Sequence, residues 1–248
     1  MAKLNEIERH CNSLLSVEAF SDYCPNGLQV DAGRSEIKRL ATAVTASLEV
    51  IEEAADWGAE LLLVHHGYFW KNEPPVLTGI KGRRVRRLMQ QGLSLMAYHL
   101  PLDAHPELGN NAQLGNLLGL EGRPLQEHGL VWMANLREAV GVGQLTLLLD
   151  KALGRTPLRL TAKGDISRLA WCTGAAQGYI EQAAAAGAEA FISGEVSEQT
   201  YHQVAELGLH YFAAGHHATE RLGIRALGEH LAEAFGLEHR FFDQDNPI

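Results

Sequence analysis

The chain has 248 residues, of which 46% are hydrophobic and 21% charged, and a formal net charge of −9 at pH 7. These values are typical of globular proteins, and no uninterrupted apolar stretch is long enough to span a bilayer. The acidic balance argues against a protein that coats nucleic acid through its overall charge. The start of the chain lacks the features of a secretory signal, so a cytoplasmic location is expected.

The first half of the chain alternates short apolar runs with amphipathic stretches, which indicates an α/β fold. Ser47 is predicted to cap a helix that ends at Gly58. The predicted strands are 39–46, 60–65 and 93–99, and the predicted helices are 48–58, 82–91 and 110–119.

The polar segment 121–129 is rich in glycine and proline and is a candidate boundary to a second lobe. The alternation resumes after it, with strands predicted at 130–135, 158–161, 168–173 and 188–193 and helices at 142–153, 177–186 and 195–207. A final strand at 209–214, a helix at 216–235 and a strand at 238–242 fit either lobe.

Two adjacent histidines, His65 and His66, end a buried apolar run. The carboxyl end of such a strand is where open α/β sheets bind ligands. Because side chains alternate along a strand, both imidazoles serve one site only if the strand is ending or if two ions lie side by side. The pair therefore suggests a dinuclear centre.

Two further clusters follow predicted strands. His99 and Asp103 lie among Pro101 and Pro106, which we expect to exclude a regular helix and leave an irregular ligand loop. His216 and Glu220 are four residues apart at the start of a helix, which places them on one face.

Each cluster alone is as consistent with ordinary hydrogen-bonded residues as with ligands. Three clusters at three strand ends favour convergence, because an α/β sheet gathers its strand ends along one edge. Nitrogen and oxygen donors without sulfur suit zinc, iron, manganese, nickel or cobalt. Two such divalent ions would attract anionic substrates and activate a water molecule for hydrolysis.

The order of these motifs resembles the GTP cyclohydrolase I type 2 family, also called Nif-three-like dimetal proteins, and is closest to its short bacterial members. The resemblance covers nearly the whole chain and rests on residues 21–30, 64–67, 99–103, 194–195 and 215–220.

The resemblance implies two linked α/β lobes with a dinuclear metal site in the cleft between them. Residues 1–125 with about 213–248 would form the first lobe, which carries the ligands, and about 126–212 the second. The implied metal ligands are His65, His66, Asp103, His216 and Glu220, with Glu220 as a bridge. Six subunits would form a toroidal homohexamer.

The resemblance implies that His99 lies in the second coordination shell or transfers protons. Glu195 is an acid beside the metals or a charge at a helix start. These two residues are the candidates for catalytic roles. The predicted function is metal-dependent hydrolysis of a nucleotide, a purine-type compound or a related anionic small molecule through activated water. The alternative is a non-catalytic, metal-containing ring that binds a protein or nucleic acid, for which basic residues at 81–87 give weak support.

Overall fold

The computed structural model describes residues 1–248, which form two compact units. The first unit comprises residues 1–102 and 224–245, and the second comprises residues 103–223 and 246–248. The sequence-based division instead assigned 103–125 and 213–223 to the first lobe. Both divisions place the C-terminal strand in the N-terminal lobe. The predicted α/β class with two lobes is confirmed.

The helices of the chain are numbered in order. They are α1 (Leu4–Leu14), α2 (Leu48–Asp56), α3 (Gly79–Gln91), α4 (Leu100–Ala104), α5 (Asn110–Leu117), α6 (Val142–Leu153), α7 (Ile180–Ala185), α8 (Glu198–Leu207) and α9 (His216–Phe235). Short 3-10 helices occur at Val17–Ala19 and Gln177–Tyr179. No helix is both long enough and apolar enough to cross a membrane.

The strands are numbered in the same way. They are β1 (Ala2–Lys3), β2 (Gly27–Val30), β3 (Glu36–Ile37), β4 (Arg39–Thr45), β5 (Leu61–His66), β6 (Ser94–Ala97), β7 (Arg123–Pro124), β8 (Trp132–Val140), β9 (Leu158–Leu160), β10 (Ile166–Trp171), β11 (Ala190–Ser193), β12 (His210–Ala213) and β13 (Glu238–Phe241).

The first unit contains a five-stranded sheet in the order β13-β4-β5-β6-β2. The first four strands are parallel, and β2 is an antiparallel edge strand. Leu61 to His65 are completely buried because β5 lies in the middle of this sheet. Ser47 accepts a hydrogen bond from Val50 N at 3.2 Å, which confirms the predicted cap of α2.

The second unit contains a six-stranded sheet in the order β7-β8-β10-β11-β12-β9. Its three adjacent strands β10, β11 and β12 are parallel, so their carboxyl ends lie along one edge. One apolar cluster around Trp171, Leu149 and Phe212 and another around Ile180, Phe191 and Tyr211 form the core of this unit.

Two sequence-based expectations about loops are wrong. Asp103 lies in α4, although two prolines were expected to exclude a helix there. Pro101 occupies the first turn, where a helix needs no proline N–H, and Pro106 lies beyond the last residue. The polar segment expected to separate the lobes contributes β7 to the sheet of the second unit instead, through pairing of Arg123 and Pro124 with β8.

Candidate metal centre

The two histidines at the end of β5 lie beside each other. The centroids of the His65 and His66 rings are 4.7 Å apart, and His66 is the last residue of the strand. His65 Nδ1 is 2.9 Å from the carbonyl oxygen of Tyr98, to which it donates, and His66 Nδ1 is 3.2 Å from Thr45 Oγ1. The Tyr98 contact fixes the tautomer of His65 with the lone pair on Nε2, the nitrogen suited to binding a metal.

His99 joins this pair within the first unit. One nitrogen from each of the imidazoles of His65, His66 and His99 lies within 4.8 Å of the others. The edge of Trp70 contacts the His99 ring at a centroid distance of 5.0 Å. Trp70 is therefore the aromatic residue beside this set, whereas Tyr68 is buried and donates to Ala46 O.

The second unit brings together the other predicted donors. His216 Nε2 is 2.9 Å from Glu220 Oε2, one helical turn later on α9. An oxygen of Asp103 also lies within 4.8 Å of an oxygen of Glu220. Both carboxylates are buried, with exposed fractions of 6% for Asp103 and 3% for Glu220. Two buried carboxylates this close require compensating positive charge, and these clustered groups are able to bind a metal ion.

Glu195 lies directly behind His216. Its Oε1 accepts a hydrogen bond from His216 Nδ1 at 2.7 Å, so the opposite ring nitrogen faces Glu220. Burial by itself would lower the pKa of His216. The hydrogen bonds and charges of Glu220 and Glu195 outweigh this effect and raise the pKa to about 9. Glu195 therefore orients the imidazole and increases its basicity, as carboxylates behind metal-binding histidines do.

Asn110 and Asn111 support Asp103, a role that the sequence did not reveal. Asn110 Nδ2 donates to Asp103 Oδ1 at 2.7 Å, and Asn111 Nδ2 donates to the main-chain oxygen of Asp103 at 3.2 Å. Both asparagines are completely buried, although the sequence marked them only as a helix start. The sequence shows two polar residues at the start of a helix, and only the structure shows that both are buried against Asp103.

Two glycines create the space that these side chains occupy. Gly174 follows β10 with φ +69°, and a β-carbon there would overlap Glu220 Oε1. Gly194 follows β11, and a β-carbon there would lie 2.7 Å from the α-carbon of His216. The close approach of backbone to site explains why glycine is present at both strand ends.

The turn between β10 and α7 is fixed by hydrogen bonds to side chains. Three of its main-chain amides have side-chain partners. Thr173 N donates to Asn111 Oδ1, Gly174 N to Thr219 Oγ1 and Ala176 N to Ser193 Oγ. These hydrogen bonds give the turn a structural role beside Glu220.

The sequence matches the family described as Duf34/NIF3 (NGG1p interacting factor 3) over residues 2–247. This chain belongs to that family. The predicted resemblance is thereby confirmed, since curated relatives of this Duf34/NIF3 chain carry the name "GTP cyclohydrolase 1 type 2 homolog". One from Allochromatium vinosum is 53% identical over 100% of this chain and 98% of its own length. Another from Vibrio cholerae is 50% identical over 98% of each chain.

Solved structures similar to this Duf34/NIF3 chain share its fold. Protein ybgI, described as of unknown function, has a TM-score of 0.95 and 48% identity over 99% of this chain and 100% of its own. TTHA1606 from Thermus thermophilus has a TM-score of 0.91 and 31% identity over the same shares.

The predicted site residues of this Duf34/NIF3 chain form two sets. His65, His66 and His99 cluster in the first unit, and Asp103, His216 and Glu220 cluster in the second, with Glu195 behind His216. The basic residues at 81–87 belong to α3, where Lys81 pairs with Glu73 at 3.3 Å and Arg87 with Glu52 at 3.7 Å.

Proposed function

We propose that this chain is a dinuclear metal-dependent hydrolase that acts on a nucleotide or another purine-type substrate. The proposed ligands of two divalent ions are His65, His66, Asp103, His216 and Glu220. The observation that carries the proposal is the pair of carboxylates of Asp103 and Glu220, buried within 4.8 Å of each other in the same unit as His216. Such an arrangement is stabilised by bound cations.

The composition of the two sets supports a shared centre. The set in the first unit offers only imidazoles, whereas the set in the second unit offers two carboxylates and one imidazole. Two divalent ions need about eight ligand positions, more than either set supplies. We therefore propose that His65 and His66 of the first set bind the same pair of ions as Asp103, His216 and Glu220 of the second, and that His99 is not a ligand.

The residues around the ligands suit hydrolysis. Two divalent ions held by these residues would supply a water molecule of lowered pKa and would polarise the bond that is attacked. Glu195 holds the His216 ring through Nδ1, and the Tyr98 carbonyl holds the His65 ring in the same way. Ligands fixed in this manner keep their geometry when substrate binds.

The substrate class is proposed from two arguments. Two carboxylates leave the centre with a net positive charge when two divalent ions are bound, so anionic substrates are favoured. The relatives at about 50% identity are named as homologues of a GTP cyclohydrolase, which is an enzyme of a purine nucleotide. The half-buried Trp70 ring lies 5.0 Å from the His99 ring, and a base can stack on such an aromatic side chain.

The ligand assignment is tested by elemental analysis of purified protein after loading with zinc, manganese or iron(II). The wild type should bind two equivalents, and His65→Ala and Glu220→Gln should each lose at least one. The matched controls are His202→Ala and Glu198→Gln, which should leave the metal content unchanged. These two residues form an exposed pair on α8 with the same i, i+4 spacing and a 3.3 Å contact. Retention of two equivalents in both site variants, with circular dichroism unchanged, would overturn the assignment.

The reaction is tested with the same proteins on a panel of nucleotides, including GTP and damaged purine nucleotides. Metal-loaded wild type and the two control variants should convert at least one compound, and the site variants should lose that activity. Native mass spectrometry of these samples measures the proposed homohexamer. If no nucleotide is converted and metal removal only dissociates the assembly, the metal has a structural role and the hydrolase proposal is wrong.

A further inference from the structure

A carboxylate and an imidazole form a close pair that the ligand set does not include. Asp22 lies just before β2, and His99 lies just after β6, both in the first unit. Asp22 Oδ1 is 2.7 Å from His99 Nδ1, and the side chains are 3% and 14% exposed, respectively. This pair is therefore largely removed from water, where its hydrogen bond has a strong orienting effect.

Each carboxylate oxygen of Asp22 accepts two hydrogen bonds. Oδ1 accepts from His99 Nδ1 and from Tyr23 N at 2.6 Å, while Oδ2 accepts from Leu100 N and Asn26 Nδ2, both at 2.9 Å. Burial by itself would raise the pKa of Asp22, but the hydrogen bonds from His99, Asn26 and Tyr23 lower it below the usual value. Asp22 is thus an ionised group that is held in one orientation.

The main chain of His99 is held by the same loop. His99 N donates to Asn26 Oδ1 at 2.8 Å, so the ring and the backbone of one residue are both fixed by residues 22–26. One hydrogen bond to the ring and one to the backbone therefore determine the direction of the His99 imidazole.

The hydrogen bond also determines the tautomer of the ring. An ionised carboxylate only accepts, so the hydrogen of a neutral His99 is on Nδ1 and the lone pair is on Nε2. The ring centroid of His99 lies 5.1 Å from that of His65 and 5.9 Å from that of His66. We infer that Asp22 is a positioning residue that presents His99 Nε2 as a hydrogen-bond acceptor for a water molecule or substrate group at the proposed catalytic centre.

A thiolate or metal function of this cluster is disfavoured by the same contacts. Cys24 Sγ lies within 4.8 Å of the donor atoms of Asp22 and His99. Burial, with a smaller contribution from the charge of Asp22, raises the pKa of the Cys24 thiol to about 12, so it is protonated at neutral pH. Both oxygens of Asp22 already accept two N–H groups, which leaves them poorly available to a cation.

The test uses Asp22→Asn, which keeps the shape of the side chain. The amide oxygen is expected on the Oδ2 side, where it still accepts from Leu100 N and Asn26 Nδ2. The reverse orientation would oppose both of these donors, whereas this one opposes only Tyr23 N. The new NH2 group then donates to His99 Nδ1 and moves the ring hydrogen to Nε2. The matched control is Asp31→Asn, an exposed aspartate of the same unit that caps Gly33 N.

The first readout is the histidine tautomer, measured by long-range 1H–15N NMR on metal-free protein. Wild type and Asp31→Asn should show the Nδ1–H form for His99, and Asp22→Asn should show the Nε2–H form. The same form in all three proteins would overturn the positioning role. This measurement requires no activity, so its result is separate from that of the nucleotide panel.

The second readout addresses the reaction and rests on the proposed function. Asp22→Asn should retain two metal equivalents and lose about 10²- to 10⁴-fold in kcat, with little change in KM. His99→Gln should lose a similar factor, and the double variant should be no worse than either single one, because the two residues act as a unit. A tautomer change that leaves kcat and its pH profile unaltered would show that His99 has no part in the reaction. If wild type converts no nucleotide, the proposed function fails while the tautomer result still decides the positioning role.

Discussion

Comparison of Gly174→Ala with Gly119→Ala distinguishes the cost of backbone strain from the cost of displacing a side chain of the proposed metal centre. Gly174 has φ +69°, and its β-carbon would overlap Glu220 Oε1 and lie 2.9 Å from the carboxyl carbon. Gly119, in the same unit, also has φ +69° but has no neighbouring atom within 4 Å of the corresponding position. Gly119→Ala is therefore a control with equal backbone strain and no overlap.

The magnitudes follow from these two positions. An alanine with left-handed φ costs roughly 1–2 kcal/mol, which applies to both variants. Gly174→Ala must also displace Glu220 from His216, and loss of a partly buried charged hydrogen bond costs about 1.5–3 kcal/mol more. The free energy of unfolding of metal-free protein should thus fall by about 1–2 kcal/mol in Gly119→Ala and about 2.5–5 kcal/mol in Gly174→Ala.

Urea unfolding of the metal-free proteins measures this difference, and elemental analysis gives the metal content of each variant. Gly119→Ala should bind as much metal as wild type, whereas Gly174→Ala should bind less because one proposed ligand is displaced. Equal stability and equal metal content in the two variants would refute the reasoning. It would mean that Glu220 moves aside without cost.

Two further predictions concern the first unit. Ser47→Ala should lower the free energy of unfolding by about 1 kcal/mol, because Val50 N loses its cap; urea unfolding checks this against the exposed Ser35→Ala, which should have no effect. Burial and the neighbouring His230 lower the pKa of His10 below the unfolded value of 6.5, so the unfolded chain binds this proton first. The stability provided by neutral His10 is present above about pH 6.5 and is lost as the pH falls through the folded pKa. His10→Gln should therefore weaken the decrease in urea midpoint between pH 8 and pH 5, and an unchanged decrease would contradict the assignment.

The strands and helices that carry the site could be predicted from sequence because their patterns are local. The helices 142–153 and 216–235 have the predicted bounds, and β5 extends one residue beyond its predicted end to include His66. The apolar runs of parallel strands and the polar residues at their carboxyl ends are adjacent in the chain. The clustering of His216 with Glu220 required only the helical repeat.

Features that depend on distant partners were not predicted. Asp22 belongs to the motif at 21–30, but nothing local indicates that it pairs with a residue 77 positions later. Strand β2 is short and pairs antiparallel with β6, with an irregular register between Leu28 and Val30, so its sequence lacks a clear alternation. One local feature was also missed, the α1 helix, although it has buried Leu4, Ile7 and Cys11 at helical spacing.

The position of β13 in the sheet of the first unit has a consequence for synthesis on the ribosome. Strand β4 pairs with β5 on one side and with β13 on the other, and β13 begins at Glu238, after the main segment of the second unit. All residues from 103 to 223 emerge before that partner strand exists. During translation one edge of β4 thus remains without hydrogen bonds while the second unit completes its own sheet, and such an edge is the part of a nascent chain most prone to pair with a neighbour.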